Sequence, residues 1–375
     1  MRIAIEGQRL FRHKKHGMDF VALELIKNLQ KIDKKNEYFV FVKPDEDKCL
    51  DNTDNFNIIE LPGKSYPYWE QKALPQAVRD NKCDLLHCTS NTAPVSNGFP
   101  LIVTVHDIIY MESLSILKKG GTLYQKFGNM YRRWNVPKVM KSAEKVITVS
   151  EFEKGTITKR FPKYEDKIIA IYNGVSEHFK PVNDKEVLEK TRLKYGLPEK
   201  FIFYLGNTDP KKNTPNTLKA YATYRRKTNN PLPLVMIDFG LDKLNQILRD
   251  IEEPRLIEHI VLSGYINNLD LPAIYSMSSL FLYPSLRESF GIPVLEAMRC
   301  GTPVVTSNTS SMPEVSGDGA LFVDPARPQE IAEAIAKMMT DENLRNEYVK
   351  KGFDRSAKFS WENMAKEVLN LYENI

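Results

Sequence analysis

Glu288-Ser-Phe-Gly-Ile-Pro-Val-Leu-Glu296 is the stretch on which the reading of this chain turns: two glutamates bracketing seven residues. Pro293 suits a first helical turn, where its missing N–H costs nothing. Leu295, Ala297 and Met298 carry helical character on to Cys300-Gly301, a C-terminal stop. The amides of Phe290, Gly291 and Ile292 then face whatever lies in front of the helix, where the dipole favours an anion. Upstream, the apolar run Leu280–Tyr283 reads as a strand, so the whole is a strand, a turn and a helix with a carboxylate on each side of the turn.

The same alternation extends along the chain. Short Val- and Ile-rich runs recur at Ile3–Ile5, Tyr38–Val42, Asn57–Leu61, Leu85–His87, Leu101–His106, Val146–Val149 and Ile168–Ile171, and again at Phe201–Leu205, Leu234–Ile237, Ile260–Leu262, Pro303–Thr306 and Ala320–Val323. Unalternated strands separated by helical patterns predict parallel sheets buried on both faces, hence a doubly wound α/β fold. At 375 residues the chain exceeds what one core fills, so two such domains are expected. The boundaries are set at 1–178 and 179–358, with a last amphipathic helix from about 359 to 375 crossing back onto the first domain. In such sheets ligands bind beyond the carboxyl ends of strands. Asn173-Gly174, Gly206 to Asn213, Ser263-Gly264-Tyr265 and Pro284 to Glu288 all follow strands and are read as converging on one cleft of the second domain.

Composition sets further limits. With 42% hydrophobic and 27% charged residues, the chain has the make-up of an ordinary globular protein. It holds no apolar run of spanning length, and Met1–Glu6 reads as a strand and not as a signal peptide. Residues 1–180 carry 29 Lys and Arg against 22 Asp and Glu, leaving 24 against 26 in the remainder. A basic first half suggests that this half meets a negatively charged surface. No nucleic-acid recognition motif accompanies it. Cys49, Cys83, Cys88 and Cys300 lack CxxC or zinc-type spacing, which points to reduced thiols in a cytoplasmic setting. A dehydrogenase is disfavoured, because Glu6-Gly-Gln-Arg-Leu stands where a Gly-x-Gly-x-x-Gly turn would follow the first strand.

Taken in order, Val103–Asp107, Ile147–Phe152, Ile171–Val175, Tyr204–Gly206 through Lys212-Asn213, Ser263–Tyr265, Pro284–Glu296 with Gly301-Thr-Pro-Val-Val, Ser311–Val315 and Phe322–Pro325 resemble the GT-B glycosyltransferases of family 4. These are retaining enzymes that use nucleotide-diphosphate sugars. The resemblance implies two Rossmann-like domains facing a central cleft, the first on the acceptor side and the second binding the nucleotide sugar. It implies that Glu296 holds the ribose hydroxyls, that Glu288 contacts the donor sugar, and that the amides of Phe290, Gly291 and Ile292 serve the diphosphate or sugar oxygens. Lys212 would neutralise the leaving diphosphate. Where the family often has an arginine after Gly206, this chain has Asn207, and Lys211 is the substitute cation. Gly264, Tyr265 and Ile266 would bring backbone to the base, His106 would lie near the anomeric carbon, and Gly17 would let backbone approach the diphosphate or acceptor. The Gly17 loop reads Lys14-Lys-His16-Gly17-Met18-Asp19 and lacks the family's commoner glycine pair.

Glycosyl transfer develops positive charge on the sugar and negative charge on the departing diphosphate, which aimed amides and a fixed cation stabilise. Lys212 and the helix start at Gly291 meet that need with no metal and no other cofactor. Asp45-Glu46-Asp47 has the look of a metal-binding DxD but lies in a polar stretch, and is read as a solvated loop. Glu288 and Glu296 do not suit a glycosidase, which places two carboxylates about the scissile bond. Each candidate also has a plainer reading. Glu296 could complement its helix dipole, Lys212 could be a turn lysine, and Glu288 a loop charge. His106 could be a satisfied core histidine, and Gly17, Gly206 and Gly264 could serve turns that need positive φ. Asp107 is read as structural.

The expected activity is transfer of a hexose to a growing glycan, polysaccharide or lipid-linked acceptor, GDP-mannose standing ahead of UDP-linked sugars as donor. The alternatives are a silent sugar-nucleotide-binding protein and a hydrolase or epimerase of the same fold. Leu123, Phe127, Met130, Tyr131 and Trp134 form one helical stripe, with Lys126, Arg132 and Arg133 off it and Lys118, Lys119, Lys138 and Lys141 nearby. It is read first as the core face of an amphipathic helix. The other reading is a helix lying on an anionic membrane, which would make a cytoplasmic enzyme peripheral on the inner leaflet.

Overall fold

The computed structural model describes residues 1–96, 98–112, 123–237 and 239–375, with the backbone alone for 123–126. Lys118 and Lys119, and the side chains of Leu123 and Lys126, lie outside the described residues. The chain divides into two compact units, one formed by Met1–Gly174 with Trp361–Ile375 and the other by Val175–Ser360.

Among its described residues the first unit carries seven strands: β1 (Arg2–Glu6), β2 (Glu37–Val42), β3 (Phe56–Glu60), β4 (Leu85–Cys88), β5 (Leu101–Thr104), β6 (Lys145–Thr148) and β7 (Ile168–Ala170). They form one sheet in the order β3-β2-β1-β4-β5-β6-β7, every pairing parallel. Ile3 lies opposite both Tyr38 and Leu85. Strands β4 and β5 are buried at every residue, as expected when helices cover both faces of a parallel sheet, and their polar members His87 and Thr104 hydrogen-bond each other at 2.8 Å. Helix α1 (Gly17–Ile32) follows β1, and helix α2 (Leu123–Ser142) precedes β6. The C-terminal helix Trp361–Glu373 packs on α1 and reaches the sheet through Tyr372, whose phenol hydrogen-bonds His87 at 2.6 Å.

The second unit carries β8 (Ile202–Tyr204), β9 (Leu234–Met236), β10 (Ile260–Leu262), β11 (Leu280–Tyr283), β12 (Val304–Ser307) and β13 (Leu321–Val323). Their order is β10-β9-β8-β11-β12-β13, again all parallel. Helix α3 (Thr214–Lys227) follows β8, and helix α4 (Ile292–Arg299) follows β11. All thirteen strands read from the sequence are present, their ends shifted by a residue or two. Asn173-Gly174 leaves β7 of the first unit, so it does not join the strand ends of the second as the sequence reading had it.

Strand order reverses direction once in each sheet, between β1 and β4 in the first unit and between β8 and β11 in the second. Such a switch point is where connections on the two sides diverge and leave a crevice at the carboxyl ends. The segments that leave β8 and β11 are the ones that carry Lys212 and Glu288.

The helical stripe on α2 departs from its first reading. Phe127 and Met130 are each 58% exposed and Trp134 is 47% exposed. The buried face belongs instead to Asn135, Val136, Val139 and Met140, with Tyr131 turned inward to donate a 2.6 Å hydrogen bond to Glu70. Glu70 sits on a π-helical turn, Trp69–Ala73, and also accepts from Gln71 at 2.9 Å and from the Thr92 hydroxyl. Burial raises the Glu70 carboxyl above the ordinary range, opposed by those hydrogen bonds. The helix is therefore rotated so that Val136, Val139 and Met140, with Tyr131 as a polar anchor, face the core, and Phe127, Met130 and Trp134 do not.

Candidate active site

The second unit brings Lys212 and Glu288 together. Lys212 ends the short 3-10 turn Pro210–Lys212, capped by the Asp209 side chain, which accepts from the Lys211 amide at 3.2 Å. Asn213 follows at φ 61°, a left-handed conformation in which asparagine is among the few tolerated side chains. Its buried amide donates to the carbonyls of Pro284 at 2.9 Å and Pro325 at 2.7 Å, tying the turn after β8 to the loop after β11. The Leu286 amide donates to the Lys211 carbonyl at 2.7 Å and strengthens that tie. With both loops fixed, Lys212 Nζ donates to Glu288 Oε1 at 2.7 Å, the two side chains being 14% and 10% exposed. The same ammonium donates to the Tyr283 hydroxyl.

Glu288 is set by its backbone. Its amide donates to Ser310 Oγ at 3.1 Å, and Ser311 Oγ donates to its carbonyl at 3.0 Å and to that of Phe290 at 3.1 Å. Gly291 caps α4 at φ 99°, where an L side chain would be strained; a Cβ there would also lie 2.2 Å from the Met312 methyl. Pro293 falls in the first turn, and no side chain caps the helix. The Phe290 ring is core, packed edge-on against Phe359 at 5.8 Å, so only its backbone can serve a ligand.

Glu296 lies in the second turn of α4. It keeps part of its surface exposed, while desolvation pushes its carboxyl up to about 7, opposed by a hydrogen bond from the Tyr275 phenol at 3.1 Å. A carboxylate held this high gains by accepting further donors. After β10, Gly264 adopts φ 69°, Tyr265 stands 70% exposed and Ile266 is buried.

Two glycines correct the turn reading, since neither Gly17 nor Gly206 has positive φ. Gly206 is required by packing: a Cβ would fall 2.2 Å from the Tyr204 ring, whose hydroxyl donates to the Lys212 carbonyl at 2.8 Å. A Cβ on Gly17 would meet nothing within 4 Å. Lys211 faces Asp209 at 3.9 Å, and Asn207 Oδ1 accepts the Asp209 amide at 2.8 Å.

In the first unit, His106 follows β5 and is buried. Its Nε2 donates to the Thr89 carbonyl at 2.9 Å and its amide donates to Asn91 Oδ1 at 2.6 Å. Burial lowers its basicity, so the ring is neutral and Nδ1 remains an acceptor. Asp107 Oδ1 accepts the Ile109 amide at 3.2 Å, a local turn role. Asp45 and Glu46 are exposed, and Asp47 pairs with Lys15 in the loop after β1. Sequence reading missed Tyr283, Asn213, Tyr275, Ser310 and Ser311. Of these, Asn213 and Ser311 stood inside motifs that the sequence offered, Lys212-Asn213 and Ser311–Val315, without being read as site residues.

The second sheet thus carries a cation and a carboxylate, paired at 2.7 Å, beside its switch point, in a chain of two parallel-sheet units. Two family models match: Glycosyltransferase Family 4 over residues 16–179 and Glycosyl transferases group 1 over residues 188–355. The chain belongs to this glycosyltransferase family, with the GT-B architecture. It is 31% identical over 246 residues to the O-antigen chain mannosyltransferase B of Escherichia coli, covering 65% of this chain and 64% of that protein. It is 32% identical to the serotype-specific mannosyltransferase WbdA of the same organism over 60% of this chain; the match spans only 28% of that longer relative. Anabaena HepE, solved with UDP-glucose, superposes with a TM-score of 0.75 at 17% identity, covering all of both chains, a likeness of fold.

Proposed function

We propose that the chain transfers a hexose, mannose from GDP-mannose first among candidates, from a nucleotide-diphosphate sugar to a growing glycan or lipid-linked acceptor, with retention and without a metal. The single observation that carries this reading is the Lys212–Glu288 pair at 2.7 Å, set where β8 and β11 part. The mannosyltransferase names of the curated relatives favour mannose, and the HepE complex with UDP-glucose favours a nucleotide sugar as donor.

In this reading the second unit holds the donor. Glu296 accepts the ribose hydroxyls, Gly264, Tyr265 and Ile266 border the base, and the amides of Phe290, Gly291 and Ile292 meet the diphosphate or sugar oxygens. Lys212 meets the diphosphate as it leaves, with Gly206, Asn207 and Lys211 forming the adjoining loop. Glu288 accepts a hydroxyl of the donor sugar. The first unit serves the acceptor, with neutral His106 as its catalytic candidate and Gly17 at the start of α1. The bond from the anomeric carbon to the diphosphate breaks, the bond to the acceptor oxygen forms on the same face, and a phosphate oxygen takes the acceptor's proton.

The exposed Phe127, Met130 and Trp134 face of α2, with Lys138 Nζ 3.8 Å from the Trp134 ring centroid and Arg132, Arg133 and Lys141 on the same helix, fits an anionic lipid surface. Aromatic anchors enter the interface while basic residues contribute about 1 kcal/mol each. Among the described residues no helix is long and apolar enough to cross a membrane, so attachment would be peripheral. Lipid vesicles test it: the protein should pellet with anionic vesicles at low salt and be released at high salt, and equal pelleting with neutral and anionic vesicles refutes it.

Donor identity is tested with a thermal-shift panel of nucleotide sugars followed by transfer assays, since a ligand of the folded state must raise its stability. GDP-mannose should give the largest shift and transferable mannose. Transfer from a UDP sugar alone would overturn the donor, and hydrolysis that no acceptor diverts would overturn transfer.

A further inference from the structure

We infer that Tyr283 is a positioning residue for Lys212: its phenol holds the ammonium in place while Glu288 is exchanged for the donor's diphosphate. The inference rests on the donor-binding reading above. In the donor-free enzyme the charge of Lys212 is already neutralised by Glu288 at 2.7 Å. If Glu288 is to receive a sugar hydroxyl and Lys212 a diphosphate, that ion pair must open when the donor enters. A lysine freed from Glu288 and held by nothing else would sweep the rotamers of a flexible four-carbon stem. It would have to be fixed again before the leaving group departs.

Tyr283 provides an anchor that donor entry does not remove. It is the last residue of β11 and is almost fully buried, opposite Thr306 in the parallel ladder, with the Thr306 hydroxyl donating to its carbonyl at 2.9 Å. Its ring stacks on Phe281 at 5.5 Å. The Lys212 ammonium donates to its hydroxyl and lies 4.6 Å from its ring centroid. Burial, and then the Glu288 charge beside it, hold the phenol un-ionised. A neutral hydroxyl accepts from the lysine without cancelling its charge, so the cation keeps its full field for the diphosphate. A carboxylate in its place would compete with the ligand.

The turn that bears Lys212 is held independently, through the Tyr204 hydroxyl on the Lys212 carbonyl and through Asn213. Loss of the Tyr283 hydroxyl therefore frees the tip of the lysine and leaves its backbone where it is. Because leaving-group charge is greatest in the transition state, misplacing the cation lowers kcat more than it raises the donor KM.

The experiment is a double-mutant cycle on the full chain, reading single-turnover transfer rates, donor KM and melting temperature for wild type, Tyr283→Phe, Lys212→Ala and the double variant. Tyr283→Phe should fold, lose tenfold or more in rate and change donor KM by less than threefold. In the Lys212→Ala background the same substitution should have no further effect, because the group through which it acts is gone. Wild-type rates in Tyr283→Phe overturn the inference, and so does an equal loss with and without Lys212, which marks a merely structural role. A wild type that transfers no sugar from any donor overturns the functional reading first, and is told apart by the first arm alone.

Discussion

Tyr372 and His87 are separated by 285 positions in the chain, yet the phenol of one meets Nδ1 of the other at 2.6 Å in the core of the first unit. His87 Nε2 is satisfied in turn by the Thr104 hydroxyl at 2.8 Å. The C-terminal helix is thereby fastened to β4 and β5, and the imidazole is completely enclosed. Tyr372→Phe leaves a buried ring nitrogen without its partner, which costs about 1–3 kcal/mol. Urea denaturation should show a lower midpoint with an unchanged slope.

Enclosure also sets an acid limit on stability. Burial depresses His87 to about 3, whereas the unfolded chain takes up the proton near 6.5. The unfolded state therefore binds more protons between those values, and stability falls as pH drops through that window. The contribution approaches about 1.4 kcal/mol per pH unit. Denaturation at pH 7, 6 and 5 should show this decline, and His87→Gln should flatten it.

Glu296 has the opposite sense. Its carboxyl is raised to about 7, so the folded state holds a proton that the unfolded state has released above its ordinary value. That stabilisation is lost as pH rises towards 7. Under the proposed ribose-binding role of Glu296 the sign reverses again for the donor, because the ionised carboxylate is the better acceptor for ribose hydroxyls. Donor affinity should rise as pH increases through 7, with proton release on binding. Calorimetry in buffers of different ionisation enthalpy reads that release. Glu296→Gln should abolish the pH dependence and weaken binding by about 1.5–3 kcal/mol.

Under the proposed role of Lys212, Lys212→Ala should reduce kcat by more than it raises donor KM, since the ammonium would meet charge that grows towards the transition state. Steady-state kinetics checks this. A rise confined to KM would mark the lysine as a ground-state binder. Under the metal-free reading EDTA should leave wild-type turnover intact.

Gly206→Ala should destabilise the second unit by about 1–3 kcal/mol. The added methyl would fall 2.2 Å from the Tyr204 ring, which would have to abandon its bond to the Lys212 carbonyl. Transfer rate should fall together with melting temperature, and Tyr204→Leu in the same chain should recover part of the stability.

Strands were legible because burial on both faces leaves short uninterrupted apolar runs such as Leu280–Tyr283, of strand and not helix length and closed by turn residues such as Pro284 and Ser285. Pro293 and the residues around Gly291 were legible because helix starts have local chemistry. The outward face of α2 was not. Its stripe satisfies the helical period whichever way the helix rolls, and the choice is made by Glu70, some sixty residues away, which draws Tyr131 inward. Tyr283 was hidden for a related reason. An aromatic residue closing an apolar strand looks like core, and only the fold reveals that its hydroxyl emerges beside Lys212. The partners that pin Glu288, Ser310 and Ser311, lie some twenty positions beyond it; Ser311 opens the motif Ser311–Val315, but nothing in that motif says that its hydroxyl reaches the Glu288 carbonyl.

The division of the chain has a consequence for its making. Residues 175–360 intervene between the strands of the first unit and the helix that finishes it. At about 5–20 residues per second, a ribosome takes roughly 10 to 40 seconds to cross that interval. Throughout it α1 lacks the helix that packs on it, and His87 lacks Tyr372. The second unit, whose segments are contiguous, can complete its sheet first. A nascent chain halted at residue 360 would carry a finished second unit behind an unclosed first one.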